Sequence, residues 1–304
     1  MIHDSILSTI GNTPLVRLSR MPHEQNAEIL AKVEFFNPGG SVKDRAALNM
    51  IEAAERSGVL KRGDVIIEPT SGNTGVGLAL VAAVKGYEVF FVMPENMSME
   101  RRALLHQYGA EIILTAAAEG MTGAVAKAEH MAAAHGYFMP MQFRNPHNPE
   151  AHRQTTAQEI VRDLAGEPLH YFIAGVGTGG TLTGVGAVLK TIYPEIALIA
   201  VEPKDSPVLS GGRSGAHGLQ GLGAGFIPEI YDARLVDEIV QVTLQDALKT
   251  AKALARQEGI LAGISSGANL YAALQISRRV GSGKRLVVIL PDTGERYLST
   301  ELFR

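Results

Sequence analysis

The sequence predicts an α/β fold of two open, mainly parallel twisted-sheet domains. Short β-branched runs alternate with alanine-rich helical stretches, the alternation breaks once and resumes, and glycine-rich turns occupy the junctions. In the first half the strands are Val65-Ile66-Ile67, Val89 to Met93 and Ile112-Ile113-Leu114, with helices at Gly75 to Lys85 and Ser98 to Tyr108 between them. In the second half Tyr171 to Ala174, Leu198 to Val201 and Leu286 to Leu290 read as strands. Helices are expected from about Leu182 to Ile192 and Leu244 to Glu258. The break is Gln142 to Pro149, where two prolines and two asparagines make a poor helix or strand and a good connection, so a domain boundary is placed there. A second irregular stretch, Ser206 to Pro228, is glycine-rich and of a length that tends to be functional, and it is expected to border a site.

At 304 residues, with 46% hydrophobic and 19% charged, the chain has material for one large or two medium domains. A formal net charge of -3 and the lack of a basic run argue against nucleic acid and anionic membrane as partners, and for a small ligand. Cysteine is absent, which excludes disulfides, thiolate metal sites and a cysteine nucleophile; no metal is expected, and any sulfur chemistry must bring its sulfur from outside. The N-terminal MIHDSILSTIGNTPL does not read as a signal peptide. The apolar stretch Val76 to Met93 is interrupted by Lys85, Gly86 and Glu88, so no membrane span is expected and a cytoplasmic protein is.

Four segments carry candidate chemistry. Asn37-Pro38-Gly39-Gly40-Ser41-Val42-Lys43 passes into an alanine-rich helix beginning near Ala46, which puts Lys43 at or near a helix N-terminus. The positive end of the macrodipole and partial burial both favour a neutral, nucleophilic amine there, although a lone first-turn lysine is most often a solvated charge. Glu68-Pro69-Thr70-Ser71-Gly72-Asn73-Thr74-Gly75 joins a strand to a helix; it serves equally as a capping turn or as a cradle for a carboxylate, with more small polar residues than capping requires. Gly175-Val176-Gly177-Thr178-Gly179-Gly180-Thr181 does the same and suits a phosphate. Through Gly175, Gly177 and Gly180, with Glu202 ending the next strand, it also matches the dinucleotide fingerprint, and the turn alone leaves a nicotinamide-dependent oxidoreductase open. Gly263-Ile264-Ser265-Ser266-Gly267, ahead of a helix from Asn269 to Arg278, reads as a serine N-cap whose hydroxyl could reach a cofactor ring.

Together, and in this order with Ile10-Gly11-Asn12-Thr13-Pro14-Leu15 at the start and Pro291-Asp292-Thr293-Gly294-Glu295-Arg296-Tyr297 at the end, these segments resemble the cysteine synthases (O-acetylserine sulfhydrylases), members of the β-family of pyridoxal-phosphate enzymes, over nearly the whole chain. The resemblance implies the tryptophan synthase β-subunit-like fold (fold type II), with the active site in the cleft between two domains. It implies an N-terminal segment 1–36 packing with a larger domain 148–304, and a smaller domain 37–147 carrying Lys43. It implies pyridoxal 5'-phosphate as cofactor, with Lys43 as the Schiff-base lysine and catalytic base. Asn73 contacts the cofactor's 3′-oxygen; Gly177, Thr178, Gly179, Gly180 and Thr181 form the phosphate cup; Ser265 partners the ring nitrogen. Thr70, Ser71, Asn73, Thr74 and Gln142 form the substrate-carboxylate site.

The activity implied is β-replacement of O-acetyl-L-serine by sulfide, through an aminoacrylate, to give L-cysteine and acetate. Related enzymes of this kind use O-phosphoserine, thiosulfate or homocysteine. The Ser206 to Gly212 and Gly221 to Phe226 segments resemble the sulfide-using A type more than the B type. A homodimer is also implied, with the C-terminal tail of serine acetyltransferase as a possible partner.

Overall fold

A computed structural model describes residues 2–304. In chain order, β1 (Leu15–Arg17) and β2 (Glu28–Val33) precede α1 (Lys43–Arg56), β3 (Val65–Pro69), α2 (Asn73–Lys85), β4 (Glu88–Pro94), α3 (Met99–Gln107), β5 (Glu111–Thr115) and α4 (Gly120–His135). There follow α5 (His147–Ala151), a π-helical turn (His152–Thr156), α6 (Ala157–Leu164), β6 (Tyr171–Gly175), α7 (Gly180–Ile192) and β7 (Ala197–Pro203). The chain ends with β8 (Glu238–Val242), α8 (Leu244–Glu258), α9 (Ile264–Val280) and β9 (Arg285–Leu290) before short 3-10 turns. It divides into two compact units, one joining the segment up to Ile10 with Lys43–Asn148, the other joining Gly11–Val42 with Pro149–Arg304.

The first unit holds a three-stranded sheet, β3-β4-β5, parallel throughout. Successive side chains point to opposite faces of a strand. Ile66, Val89, Phe91 and Met93 therefore pack on one face with Ala47 and Ile51 of α1, Leu78 and Val81 of α2 and Leu105 of α3, while Ile67 and Val92 meet Ala124 and Ala128 of α4 on the other. A parallel sheet covered on both faces needs such near-continuous apolar strands.

The second unit is built on a six-stranded sheet in the order β1-β2-β9-β6-β7-β8, parallel except for β1 against β2. One face, with Ile29, Ile173, Ile199 and Val288, is covered by α8 and α9 through Ala247, Leu254, Ala268 and Ala272. The other, with Leu30, Phe172, Leu198 and Val287, is covered by α6 and α7 through Ile160, Leu164, Val185 and Leu189. The strands and helices expected from the alternation are all present. Among the described residues no helix is long and apolar enough to cross a membrane.

One expected connection is different. Gln142 to Pro149 contains a helix start: α5 begins at His147, whose N–H is taken by the Asn145 side chain at 3.0 Å. Pro149 is tolerated in this first turn because N–H groups there have no intrahelical acceptor to lose.

A buried ion pair anchors β2. Lys32 is fully buried, with Nζ 2.8 Å from Glu159 and donating to the Thr13 carbonyl at 2.6 Å. The second Glu159 oxygen accepts the N–H of Asn12, held at φ 48, so one carboxylate fixes both the strand and the Gly11–Thr13 turn. Replacing Lys32 by methionine takes the buried cation away from that carboxylate, and is expected to lower unfolding free energy by about 3–5 kcal/mol in urea titrations.

Candidate active site

In the first unit, Lys43 is the first residue of α1 and half-buried. It lies against α2: a Cβ placed on Gly77 would stand 3.0 Å from the Lys43 carbonyl and 3.1 Å from the Ala47 Cβ. Gly77 is about one helical turn beyond Asn73, so the close packing of α1 on α2 brings Lys43 beside the turn that starts α2.

That turn runs from the end of β3 through Thr70, Ser71 and Gly72. The N-cap of α2 is Gly72, which has extended backbone and no side-chain acceptor. The hydroxyl and amide side chains expected there are thus not used for the cap. Thr70 Oγ1 accepts the Gly72 N–H at 3.2 Å, Arg101 donates to the Ser71 carbonyl at 3.1 Å, and Thr74 Oγ1 donates to Gln142 Oε1 at 2.6 Å. Thr70, Ser71, Asn73 and Thr74 thus share one turn, and Thr74 ties Gln142 to it, in the same unit as Lys43.

In the second unit, β6 delivers the Gly175–Thr181 turn to the start of α7. The turn is closely packed behind its glycines. A Cβ on Gly177 would overlap the Gly221 carbonyl oxygen, and one on Gly179, at φ 83, would stand 2.8 Å from the Tyr231 Cβ. The Thr178 hydroxyl accepts the Gly180 N–H at 3.3 Å, and Thr181 Oγ1 is 3.2 Å from Nε2 of the buried His152, whose Nδ1 is 2.9 Å from Thr156. Gly221 spans from this turn to α9: its Cβ position is 3.8 Å from Ser265 Oγ.

Ser265 is not the N-cap expected from the sequence. Gly263 takes that place, because a Cβ there would overlap Asp292 Oδ1 and stand 2.5 Å from the Tyr297 ring. Ser265 falls instead in the first turn of α9, buried at 3% exposure.

A common device emerges. Serine and threonine side chains close the N-termini of α3 and α8, through Ser98 and Thr243. The helices α2, α7 and α9 each begin at a glycine with no side-chain cap. Helix starts of this kind favour an anion, because their first N–H groups lie beyond the reach of the intrahelical carbonyl ladder. Each unit by itself offers groups of a kind that pyridoxal phosphate can use: in the second, the α7 turn with its threonine hydroxyls suits a phosphate and Ser265 offers a neutral hydroxyl; in the first, Lys43 offers a primary amine suited to an aldehyde.

The dinucleotide reading fails at its acid. Glu202 is buried, and its carboxylate accepts the N–H groups of Leu209 at 2.8 Å and Ser210 at 3.2 Å as well as the Ser210 hydroxyl. An acid committed to its own loop is not available to a ribose.

Two residues that bear on the site escaped the sequence reading. His152 had no signal, since it lies in a π-helical turn remote in sequence from Thr181. Glu68 had one: an acid inside an apolar strand, buried at 1% exposure.

Two α/β units, one with a helix-initiating lysine and the other with helices that start at glycines, suit a cofactor-dependent enzyme. The chain belongs to the family of pyridoxal-phosphate dependent enzymes, whose family model matches residues 6–292. It is 55% identical over 300 residues to the cysteine synthases of Staphylococcus aureus strains, covering 99% of this chain and 97% of theirs. Among solved structures, O-ureido-L-serine synthase superposes with a TM-score of 0.97 at 47% identity, over 100% of this chain and 96% of that one. Cysteine synthase from Entamoeba histolytica superposes with 0.96 at 46%, over 100% and 91%.

Proposed function

We propose that the chain converts O-acetyl-L-serine and sulfide to L-cysteine and acetate with pyridoxal phosphate as its cofactor. The observation that carries this reading is the pairing, within one unit, of a helix-initiating lysine with a donor cluster suited to an α-carboxylate. The likeness to cysteine synthases over the full length supports it.

Bound pyridoxal phosphate supplies an electron sink for charge developing at the substrate Cα. On this reading Thr70, Ser71, Asn73, Thr74 and Gln142 bind and orient the substrate carboxylate, and Asn73 also faces the cofactor's 3′-oxygen. Gly177, Thr178, Gly179, Gly180 and Thr181 hold the phosphate. Ser265 offers the ring nitrogen a hydroxyl, which leaves that nitrogen largely neutral and favours elimination over transamination. Lys43 tethers the cofactor between turnovers. During turnover its amine takes the Cα proton as acetate leaves, and returns a proton to Cα after sulfide has added at Cβ. On the same reading the protein works as a homodimer in the cytoplasm, and the C-terminal tail of serine acetyltransferase is a candidate partner that enters the active site.

The likeness to O-ureido-L-serine synthase favours one second reading, in which the nucleophile added at Cβ is an oxygen compound. A panel of substrates and nucleophiles decides between them. O-acetylserine with sulfide is expected to exceed O-phosphoserine as acceptor, and thiosulfate, homocysteine or N-hydroxyurea as nucleophile, by about 100-fold in kcat/KM measured by acetate or phosphate release and product formation. A larger kcat/KM with any of the others would replace the proposal with that reaction.

A further inference from the structure

Glu68 lies on β3, two residues before the carboxylate-binding turn, and is buried with no ion pair. Its two oxygens accept consecutive backbone N–H groups, Oε2 from Met141 at 2.9 Å and Oε1 from Gln142 at 3.1 Å. Met141 stands at φ 58, a left-handed conformation that a methionine keeps only where its surroundings enforce it. Just beyond it, Asn148 Nδ2 donates to the Gln142 carbonyl at 2.9 Å and Thr74 Oγ1 holds Gln142 Oε1. With Oε1 occupied, the remaining end of the Gln142 amide is Nε2, which can only donate.

We propose that Glu68 is a positioning residue for substrate recognition: by clamping the Met141 and Gln142 N–H groups it fixes the left-handed turn that presents Gln142 Nε2 to the α-carboxylate of an amino-acid substrate. The proposal rests on the carboxylate-binding role given above to Gln142. A buried acid without a cation is costly, and here its two oxygens do what one amide oxygen cannot, accepting two adjacent N–H groups at once.

Burial pushes the Glu68 carboxyl up to about 7, against the pull of the Gln142 and Met141 N–H groups. The elements around it bring Glu88 on β4, Lys85 on α2, Lys127, Glu129, His130 and His135 on α4, and Tyr137 and Arg144 in the segment leading to and past Gln142. The causes that move the carboxyl are burial, which raises it, and the two N–H groups, which lower it. Protonation near neutrality turns one acceptor oxygen into a hydroxyl and releases one N–H.

The experiment compares the cofactor-loaded wild type with Glu68→Gln, which keeps the volume but offers one acceptor oxygen. KM for O-acetylserine is expected to rise about tenfold with kcat within about twofold, the signature of lost uniform binding. In the wild type KM is expected to rise as pH falls below about 7, and that dependence should vanish in Glu68→Gln. If Glu68 works through Gln142, the double variant with Gln142→Ala is no worse than Gln142→Ala alone.

A readout independent of activity is amide hydrogen exchange in the cofactor-free protein. Met141 and Gln142 are expected to exchange about tenfold faster in Glu68→Gln while Phe91 of β4 is unchanged. Glu68→Asp, which keeps the charge and shortens the reach, gives a second variant with the same expected directions. Unchanged KM and unchanged exchange in a folded variant, or effects of Glu68→Gln and Gln142→Ala that simply multiply, would overturn the role of Glu68. A wild type that releases no acetate from O-acetylserine sinks the proposed reaction instead, and the exchange measurement then decides for or against the clamp by itself.

Discussion

Lys43→Ala is expected to lower kcat by at least about a thousandfold, the range lost when a single group supplies both acid–base and covalent functions. The variant should fold. Lys43 is the first residue of α1, half-buried, and alanine is at least as good a helix former there. Its backbone, not its side chain, makes the close approach to Gly77 that fixes α1 against α2. The phosphate turn belongs to the other unit, so the variant should still take up pyridoxal phosphate. What disappears is the covalent link: borohydride followed by digestion should attach the cofactor to a peptide containing Lys43 in the wild type and to none in the variant. A small amine added to the solution is expected to restore part of the proton transfer, because the residues proposed to orient the substrate carboxylate are untouched. Lys43→Ala with turnover within tenfold of wild type would end the assignment of Lys43 as both tether and base.

How far the sequence reveals this arrangement depends on how local each cause is. Strands β3, β4, β6, β7 and β9 are legible because a parallel strand covered on both faces needs a continuous apolar run, and each holds one: Val65 to Ile67, Val89 to Met93, Tyr171 to Ala174, Leu198 to Val201 and Leu286 to Leu290. Strand β2 is not legible: Glu28 and Lys32 punctuate Glu28–Val33, and Lys32 becomes a core residue only through Glu159, far along the chain. Helix α4, mostly alanine, glycine and methionine, buries only Ala124 and Ala128 and lacks the strong apolar stripe that marks a helix in a sequence.

The same division holds in the site. The turns at Thr70–Gly75 and Gly175–Thr181 show themselves because small residues between a strand and a helix are a local pattern. Ser265 is misread as a cap because the reason Gly263 must be the cap, the nearness of Asp292 and Tyr297, comes from residues beyond the helix and outside any local pattern. The dinucleotide fingerprint is a local match that tertiary structure cancels, since Leu209 and Ser210 take up Glu202. Glu68 is visible only as an anomaly, because its partners Met141 and Gln142 are 73 and 74 residues away.

The phosphate turn offers the strongest test of the second unit. Gly177→Ala is expected to weaken pyridoxal phosphate binding by about 100-fold or more, in an absorbance or fluorescence titration, and to lower Tm by about 3–8 °C. A Cβ at this position meets the carbonyl oxygen of Gly221, a backbone atom that cannot swing aside as a side-chain end could. Gly221 stands at φ 90, a conformation that excludes most alternatives for the loop, and its N-terminal neighbours Gly218 and Leu219 are packed against Leu244 and the core. The strain must therefore pass either into the turn, turning the first N–H groups of α7 away from the phosphate, or into the Gly221 loop toward Ser265. On the proposed assignments both routes damage cofactor contacts, one at the phosphate and one at the ring. Neither touches Lys43 or the Thr74–Gln142 pair, which lie in the other unit. The loss should consequently be one of cofactor affinity: raising pyridoxal phosphate well above the weakened Kd is expected to recover much of kcat, whereas Lys43→Ala stays inactive at any cofactor concentration. A Gly177→Ala protein that binds pyridoxal phosphate as tightly as the wild type would show that the phosphate is held elsewhere.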